Sequence, residues 1–315
     1  MTTTDDCTVT GTPIVVNGLD ATIKTLLGSF LHNPALLNNF HIPRLKLRLA
    51  TIQTWGVREG DHLVDIGCGQ GESSLALATV VGDRGHVSAI DPAPLDYGDP
   101  FNMREAHDHI RQSALGPRVS FYQADAPSFL ADQRPDRPLD GAVLCQSLFY
   151  FPDERQVKSL FMTLRGAGIS PVYVSEWSYA PSSETQAAHV LATTAQALYY
   201  RYKPAARIGV REQNVRAGVD QQAILRAAKA AGYRIARETL ITPGQDMLEG
   251  QFEVRYVLGP LFQQRVADAA LSKDQEAEIA AVVQELREEI EKKLYSGGAS
   301  VRAMDVWAPV FELAQ

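Results

Sequence analysis

Three glycines stand at alternate positions, Gly67, Gly69 and Gly71, directly after a short apolar run. An acid, Asp91, ends the next apolar run. A glycine turn between a buried strand and a helix lets a ligand approach the backbone, and a carboxylate at the tip of the following strand can accept both hydroxyls of a ribose. The spacing predicts a site for an adenine nucleoside or nucleotide. The alternative is that the glycines only connect the strand to the helix.

The residue at position 72 separates two classes of nucleotide site. A dinucleotide site needs a glycine there, so that the helix lies close beneath a pyrophosphate, but this chain has Glu72. A carboxylate beside a pyrophosphate is repulsive, which argues against NAD and NADP. The glycine pattern instead resembles the first motif of the class I S-adenosylmethionine-dependent methyltransferases. That resemblance implies S-adenosylmethionine as the cofactor, bound by Asp65, Gly67, Cys68, Gly69 and Gly71.

Three further segments follow in the order that this family shows. Residues 118–126 predict a short strand that ends in an acid, where the family places a carboxylate and a backbone amide on the adenine. Residues 139–147 predict a fourth strand whose end borders the methyl group, and residues 171–177 predict a fifth. The resemblance covers residues 60–180. It adds these cofactor contacts: Asp91, Pro92, Asp125, Ala126 and Gln146.

Continuous apolar strands that alternate with helices indicate a parallel sheet covered on both faces. We predict an α/β fold with a Rossmann-like seven-stranded sheet, in which strand six spans 233–241 and strand seven spans 301–311. The resemblance implies that strand seven is antiparallel. The predicted organisation is an N-terminal tail and cap helices (1–55), a cofactor-binding core (56–245), a helical insertion (246–300) and the final strand of the core (301–315).

The sequence leaves two possible roles open for each of three segments added to the core. The helices before the first strand either close over the cofactor or pack against the outer face of the sheet. The insertion is predicted as two helices, over 246–270 and 274–295, which line the substrate pocket or pack across a homodimer. The loop at Asp96, Tyr97 and Gly98 is expected to contact the cofactor, with a plain connection to the next helix as the alternative.

The nature of the acceptor is a narrower inference. The segments 91–101, 148–151, 176–177 and 304–307 together resemble fungal S-adenosylmethionine-dependent methyltransferases of secondary metabolism. No Asp-Pro-Pro-Tyr-type segment follows the fourth strand, which counts against methylation of nucleic-acid bases or glutamine. A net charge of −7 without a basic cluster also disfavours a nucleic-acid partner.

We therefore expect in-line methyl transfer to a hydroxyl or amine of a small molecule. The alternatives are a protein of this fold that catalyses an elimination or pericyclic reaction, and a non-catalytic partner subunit that only binds S-adenosylmethionine.

His189 is the candidate catalytic base, because an unperturbed imidazole pKa near 6.5 suits proton removal at neutral pH. The alternative is a packed histidine that makes one hydrogen bond. Tyr150 and Glu176 are further catalytic candidates. Phe149, Tyr150 and Trp177 are candidates for the substrate pocket, and packing in the core is the alternative for Phe149.

Composition sets the remaining expectations. The 315 residues are 45% hydrophobic, which suffices for a sizeable core without disulfides. The three cysteines lie far apart and the histidines lack metal-ligand spacing, so no metal is expected. His107 is expected at the surface. Because the sequence has neither a signal-peptide pattern nor an apolar segment of membrane-spanning length, the cytoplasm is the expected location.

Overall fold

The computed structural model describes residues 8–9, 19–132, 138–203, 219–295 and 300–314. Its strands are β1 Thr8–Val9, β2 His62–Ile66, β3 His86–Ile90, β4 Val119–Tyr122, β5 Gly141–Cys145, β6 Val172–Trp177, β7 Tyr233–Thr242 and β8 Val306–Leu313. Its helices are α1 Leu19–Ser29, α2 Ile42–Trp55, α3 Glu72–Val81, α4 Met103–Arg111, α5 Ala126–Asp132, α6 Glu154–Gly166, α7 Ala187–Tyr202, α8 Gln221–Ala230, α9 Glu249–Leu258, α10 Pro260–Asp268 and α11 Lys273–Tyr295. Apart from β1, the predicted N-terminal tail lies outside the described residues.

The strands form one mixed sheet in the order β1-β7-β8-β6-β5-β2-β3-β4. β2 pairs in parallel with both β3 and β5, whereas β8 runs antiparallel to β6 and β7. The predicted Rossmann-like sheet with an antiparallel last strand is confirmed, and the two-residue β1 extends its edge. Strand order reverses between β2 and β5, which opens a crevice at their carboxyl ends.

Neighbouring residues on each central strand enter different halves of the core. On β2, Leu63 belongs to the cluster under α1, α2 and α3, while Val64 belongs to the cluster under α6 and α8. Val143 and Leu144 divide in the same way on β5. Side chains alternate between the two faces of a strand. Because helices cover both faces, every position of these strands is apolar or buried, which explains their continuous apolar runs.

Helix α2 contacts both the core and the crevice. Leu45, Leu49 and Ile52 are buried against the sheet. Arg44 and Arg48 of the same helix line the cavity at the crevice. The helix therefore packs on the sheet, and closure of the N-terminal helices over the cofactor stays a prediction.

The insertion forms a third layer against α7. Its first predicted helix is in fact two, α9 and α10, because the backbone is extended at Gly259 and Pro260 cannot continue the hydrogen-bonding pattern of a helix. Leu286 of α11 is fully buried in a cluster with Tyr199 of α7. The apolar face of α11 is thus covered within the chain, and a homodimer stays a prediction.

The last strand begins at Val306, five residues later than predicted. The preceding residues bond to α7 and the turn before it: the amide of Arg302 donates to the carbonyl of Thr185, and that of Met304 donates to His189. These bonds divert the backbone from the sheet. No helix in the described part of the chain is long and apolar enough to cross a membrane.

Two leucines of the N-terminal region give a matched test of this packing. Leu26 of α1 is fully buried in the core, whereas Leu36 is 38% exposed. We expect Leu26→Ala to lower the free energy of unfolding by about 2–5 kcal/mol, because it leaves a cavity. Leu36→Ala should change it by less than about 1 kcal/mol. Chemical denaturation measures both, and equal values would contradict the burial of α1.

Candidate functional site

A cavity of about 900 Å³ opens at the carboxyl ends of β2 and β5. Small-molecule sites usually span roughly 300–1,000 Å³. Its lining includes Gly67, Cys68 and Gly69 from the glycine turn and Gln146 from the end of β5. The start of α2 and the loop over residues 96–102 complete it. The loop residues include Asp96, Tyr97 and Gly98, so the structure brings that predicted segment to the cavity.

The three glycines of the turn have different physical roles. All have positive φ, at +76° for Gly67, +52° for Gly69 and +91° for Gly71. A Cβ on Gly67 would lie 2.7 Å from Cβ of Ser147, and one on Gly71 would lie 2.7 Å from Cδ1 of Ile110. Only Gly69 has open space beside it. Gly67 and Gly71 therefore allow close packing, whereas Gly69 leaves room for a ligand.

The peptide groups of Gly69 are held from two sides. Asp91 accepts a hydrogen bond from the amide of Gly69 at 2.9 Å and another from the amide of Ala93 at 2.9 Å. On the other side, Nε2 of His107 donates to the carbonyl of Gly69 at 2.8 Å. The ring of His107 stacks on Phe121 with 3.8 Å between centroids. The expectation that His107 is exposed is wrong, because it shares the buried face of α4 with Ile110.

Asp65 connects β2 to the first turn of α3. Its Oδ2 accepts hydrogen bonds from the hydroxyls of Ser73 at 2.7 Å and Ser74 at 2.6 Å. Its Oδ1 is buried and has no partner among the described residues. Burial raises the pKa of this carboxyl, and the two serine bonds oppose that shift. Asp65 thus lies beneath the turn and fixes where the turn meets the helix.

The predicted adenine end has a different environment. Asp125 is exposed at the start of α5, where it accepts a hydrogen bond from the amide of Ser128 at 2.9 Å. Hydrogen bonding from Ser128 lowers the pKa of this carboxyl. Asp91, Pro92, Asp125 and Ala126 lie outside the cavity lining that the structure describes. Their contacts with adenosine stay predictions.

Two arginines of α2, which the sequence patterns did not predict as site residues, reach the cavity. Arg44 and Arg48 approach Oε2 of Glu72 at 3.1 and 3.4 Å. Arg48 also donates to Oε1 of Gln146, which fixes the orientation of that amide. Gln146 has φ of +50°, and its buried Nε2 has no partner within the described ranges. The sequence signal for them is their four-residue spacing, which places both arginines on one side of a helix.

The comparison with known proteins identifies the family. A family described as "Methyltransferase domain" matches residues 63–168. The methyltransferases phomM′ and phomM of Diaporthe leptostromiformis are each 34% identical to this chain, over 90% of it and 88% of their own length. The chain belongs to this methyltransferase family. It is an S-adenosylmethionine-dependent methyltransferase, and the predicted cofactor is confirmed.

A solved structure supports the fold of the methyltransferase. The cyclopropane-fatty-acyl-phospholipid synthase-like protein from Lactobacillus casei superimposes with a TM-score of 0.73 at 22% identity, covering 95% of this chain and all of that one. This likeness extends to the additions around the core, because it covers nearly the whole chain.

The residues at the cavity fit S-adenosylmethionine. The open side of Gly69 leaves room for a ligand against the backbone, and the unpartnered amide of Gln146 offers a donor at the strand end. Family membership, rather than the charge of Glu72, excludes a dinucleotide. Because Arg44 and Arg48 neutralise Glu72, the predicted repulsion of a pyrophosphate carries little weight in this site.

Of the three predicted substrate-pocket residues, one lies in the described cavity lining and two are buried outside it. Tyr150 lines the cavity and is 46% exposed. Phe149 and Trp177 are buried, at 8% and 4% exposure, and lie outside the described lining. Their position agrees with the core-packing alternative that the sequence left open for Phe149.

Glu176 is buried at the end of β6, outside the described lining. Its Oε1 accepts a hydrogen bond from the amide of Leu148 at 2.6 Å. Burial raises the pKa of this carboxyl to about 8, although that bond and Arg48 oppose the shift. In this position Glu176 holds the backbone turn after β5.

His189 is fully buried and does not belong to the described lining. Its Nδ1 accepts a hydrogen bond from the amide of Met304 at 2.9 Å, and its ring lies edge-on to Trp177 at 5.3 Å. Burial lowers the pKa of the imidazole to about 3. This geometry is that of the packed histidine with one hydrogen bond, which was the alternative to a catalytic base.

The hold on the glycine turn gives a test of the donor site. We expect Asp91→Ala to weaken the binding of S-adenosylmethionine and S-adenosylhomocysteine at least about tenfold, because the charge-assisted hydrogen bonds to the glycine turn at Gly69 and to the loop at Ala93 are lost. Asp108→Ala on the exposed side of α4 is the matched control and should bind normally. Isothermal titration calorimetry measures the affinity of each variant for the two ligands. Equal affinities for both variants would contradict the role of Asp91.

The placement of His189 predicts an effect on stability rather than on catalysis. His189→Ala should lower the free energy of unfolding by about 2–5 kcal/mol, because it leaves a cavity and an unpartnered amide. The methyl-transfer rate per folded molecule should stay close to that of the wild type. Because the folded-state pKa is about 3 and the unfolded one about 6.5, acid favours the unfolded state.

The wild type should therefore lose stability as pH falls below about 6.5, by up to about 1.4 kcal/mol per pH unit, and the variant should lack this contribution. Thermal denaturation across pH measures it. A drop in rate of about 10²-fold at normal stability would instead support a catalytic base.

Proposed function

We propose that the protein transfers the methyl group of S-adenosylmethionine to a hydroxyl or amine of a small-molecule acceptor. One observation carries the proposal: the cavity that includes the glycine turn extends to aromatic and basic side chains from residues 30–48. Its volume of about 900 Å³ lies near the upper end of the range for single ligands. That size favours a site for a donor together with an acceptor.

S-adenosylmethionine supplies a methyl group that is already electrophilic. The chain then contributes mainly binding and orientation. The backbone at Gly67 and Gly69 and the carboxylate of Asp91 hold the donor, while Arg48 fixes the amide of Gln146 beside it. Alignment of the acceptor atom with the methyl carbon converts a bimolecular reaction into an effectively unimolecular one. In-line transfer follows from that arrangement.

Several features support the acceptor class. Similarity to fungal phomM methyltransferases over 90% of the chain supports an acceptor from secondary metabolism. Aromatic side chains in the lining, among them Phe30, Phe40 and Tyr150, favour a planar or apolar acceptor. The net charge of −7 disfavours nucleic acid. A cytoplasmic location and a homodimer remain predictions.

Methyl-labelled S-adenosylmethionine gives the decisive test. Purified protein is incubated with the labelled cofactor and a small-molecule extract of the source organism, and the products are separated by mass spectrometry. We expect one metabolite to gain a labelled methyl group. The Asp91→Ala variant, with its weakened donor site, is the control and should give much less product. Binding of the cofactor without any labelled metabolite would favour a non-methyl reaction or a partner subunit.

A further inference from the structure

His41 is a buried polar side chain at the cavity that neither the donor site nor the core explains. It ends the π-helical turn Leu37–His41 that leads into α2, and it belongs to the cavity lining. The residue is 8% exposed, and neither ring nitrogen has a hydrogen-bond partner among the described residues. A buried nitrogen without a partner costs free energy. A ligand that supplies a partner is therefore favoured beside this ring.

Aromatic rings surround His41 at this end of the cavity. Phe30 and Phe40 contact its ring edge-on, with centroid distances of 5.9 and 5.1 Å, and both line the cavity. Phe252 of α9 packs on Phe40 at 5.4 Å. The corner thus combines apolar ring surfaces with one unsatisfied polar group. An aromatic ring that bears a hydroxyl or an amine matches both features.

Three charged or titratable groups act on His41 from the elements around it: Glu72 at the start of α3, His32 after α1, and Arg44 on α2. Burial is the largest influence and lowers the pKa of His41. Glu72 opposes that shift, whereas His32 and Arg44 reinforce it. The ring is therefore neutral at neutral pH, and one of its nitrogens is able to accept a proton.

The other proton acceptors of the described lining are less suited to this task. Glu72 is paired with Arg44 and Arg48. Burial raises the pKa of the thiols of Cys68 and Cys145, which therefore stay protonated. Tyr97 and Tyr150 are phenols, which ionise only near pH 10 in water. The acids of the loop 96–102 and Glu105 of α4 are exposed carboxylates and weak bases, and Glu105 already accepts a hydrogen bond from the amide of Asn102.

The helix connects His41 to the donor end of the cavity. His41, Arg44 and Arg48 occur at spacings of three and four residues, so they lie on one helical face. Arg48 bonds to Gln146 at the end of β5, next to the glycine turn. The same face therefore runs from the donor site to the aromatic corner.

We propose that Phe30, Phe40 and His41 form the acceptor subsite for an aromatic ring bearing the reacting hydroxyl or amine, and that His41 accepts its proton. This inference rests on the proposed function. The lone pair of the acceptor oxygen or nitrogen forms the bond to the methyl carbon, and the electrons of the broken carbon–sulfur bond stay on sulfur. The proton of the acceptor passes to the free ring nitrogen of His41 and then to solvent.

The test uses 2-naphthol and 2-naphthylamine as probes, with full-length wild type, His41→Gln and His41→Asn. The two amides offer hydrogen bonds near the positions of Nε2 and Nδ1 but do not take up a proton at neutral pH. His109→Gln is the matched control, because His109 of α4 carries the same side chain and lies outside the described cavity lining. Methyl transfer, affinity for S-adenosylmethionine and melting temperature are measured for each protein.

We expect both His41 variants to lose about 10²-fold or more in transfer rate, the range of a general base, with unchanged affinity for S-adenosylmethionine. The control should behave like the wild type. The wild-type rate should fall as pH decreases through the lowered pKa of His41, below 6.5, and the His41 variants should lack this acidic limb. Rescue of the rate by either amide, or an acidic limb that persists in both, would overturn the assignment of a base.

A measurement on the wild type covers the case in which the variants fail to fold. The imidazole nitrogen signals of the wild type are followed by NMR as 2-naphthol is added to the complex with S-adenosylhomocysteine. A shift of one buried histidine supports the subsite, and no shift overturns it. If neither probe binds but a metabolite is labelled in the extract experiment, the subsite is wrong and the proposed function stands. If no metabolite is labelled, the proposed function itself fails.

Discussion

The conformation of the backbone at Gly69 is the constraint on which the site depends. A positive φ leaves the amide and carbonyl groups around this residue without the partners that a helix or strand would supply. Asp91, directly after β3, accepts a hydrogen bond from the amide of Gly69, and His107 of α4 donates one to its carbonyl. Both elements therefore fix the turn. A turn fixed in this way presents its open side to the ligand without reorganisation on binding. Beneath the turn, Asp65 of β2 accepts hydrogen bonds from Ser73 and Ser74 and so fixes the start of α3 relative to the strand.

Helix α2 links the stability of the fold to the geometry of the site. Its apolar face packs in the same cluster as β2 and α3, and Trp55 at its end stacks on Tyr173 of β6 at 5.6 Å. The same helix carries the arginines that pair with Glu72 and orient Gln146. Because one rigid helix does both, the position of these charges is set by core packing.

The sequence was sufficient for the donor side of the fold because local patterns determine it. Glycine spacing, apolar runs and the acid at the tip of β3 are short-range signals that predicted the sheet and the turn, and their resemblance to the methyltransferase motif implied the cofactor. The contacts of Arg48 with Gln146, 98 positions later, and of His189 with Met304, 115 positions later, are tertiary. A single sequence gives no register for such pairs. His189 was predicted as a base from the ordinary pKa of an imidazole, which a sequence gives without the burial that lowers it to about 3.

The acceptor side is assembled in another way. Phe40 precedes the glycine motif and Phe252 lies far beyond it in the sequence. The centroids of their rings are nevertheless only 5.4 Å apart. The donor side depends on backbone conformation, which tolerates little change at Gly67 or Gly71 because added side-chain atoms would collide. The proposed acceptor side depends on side chains from residues 30–41, which line the cavity before α2 begins, and Phe252 of α9 packs behind Phe40. Changes there alter the shape and polarity of the wall without disturbing the turn, so acceptor selectivity is separable from methyl-donor binding in this fold.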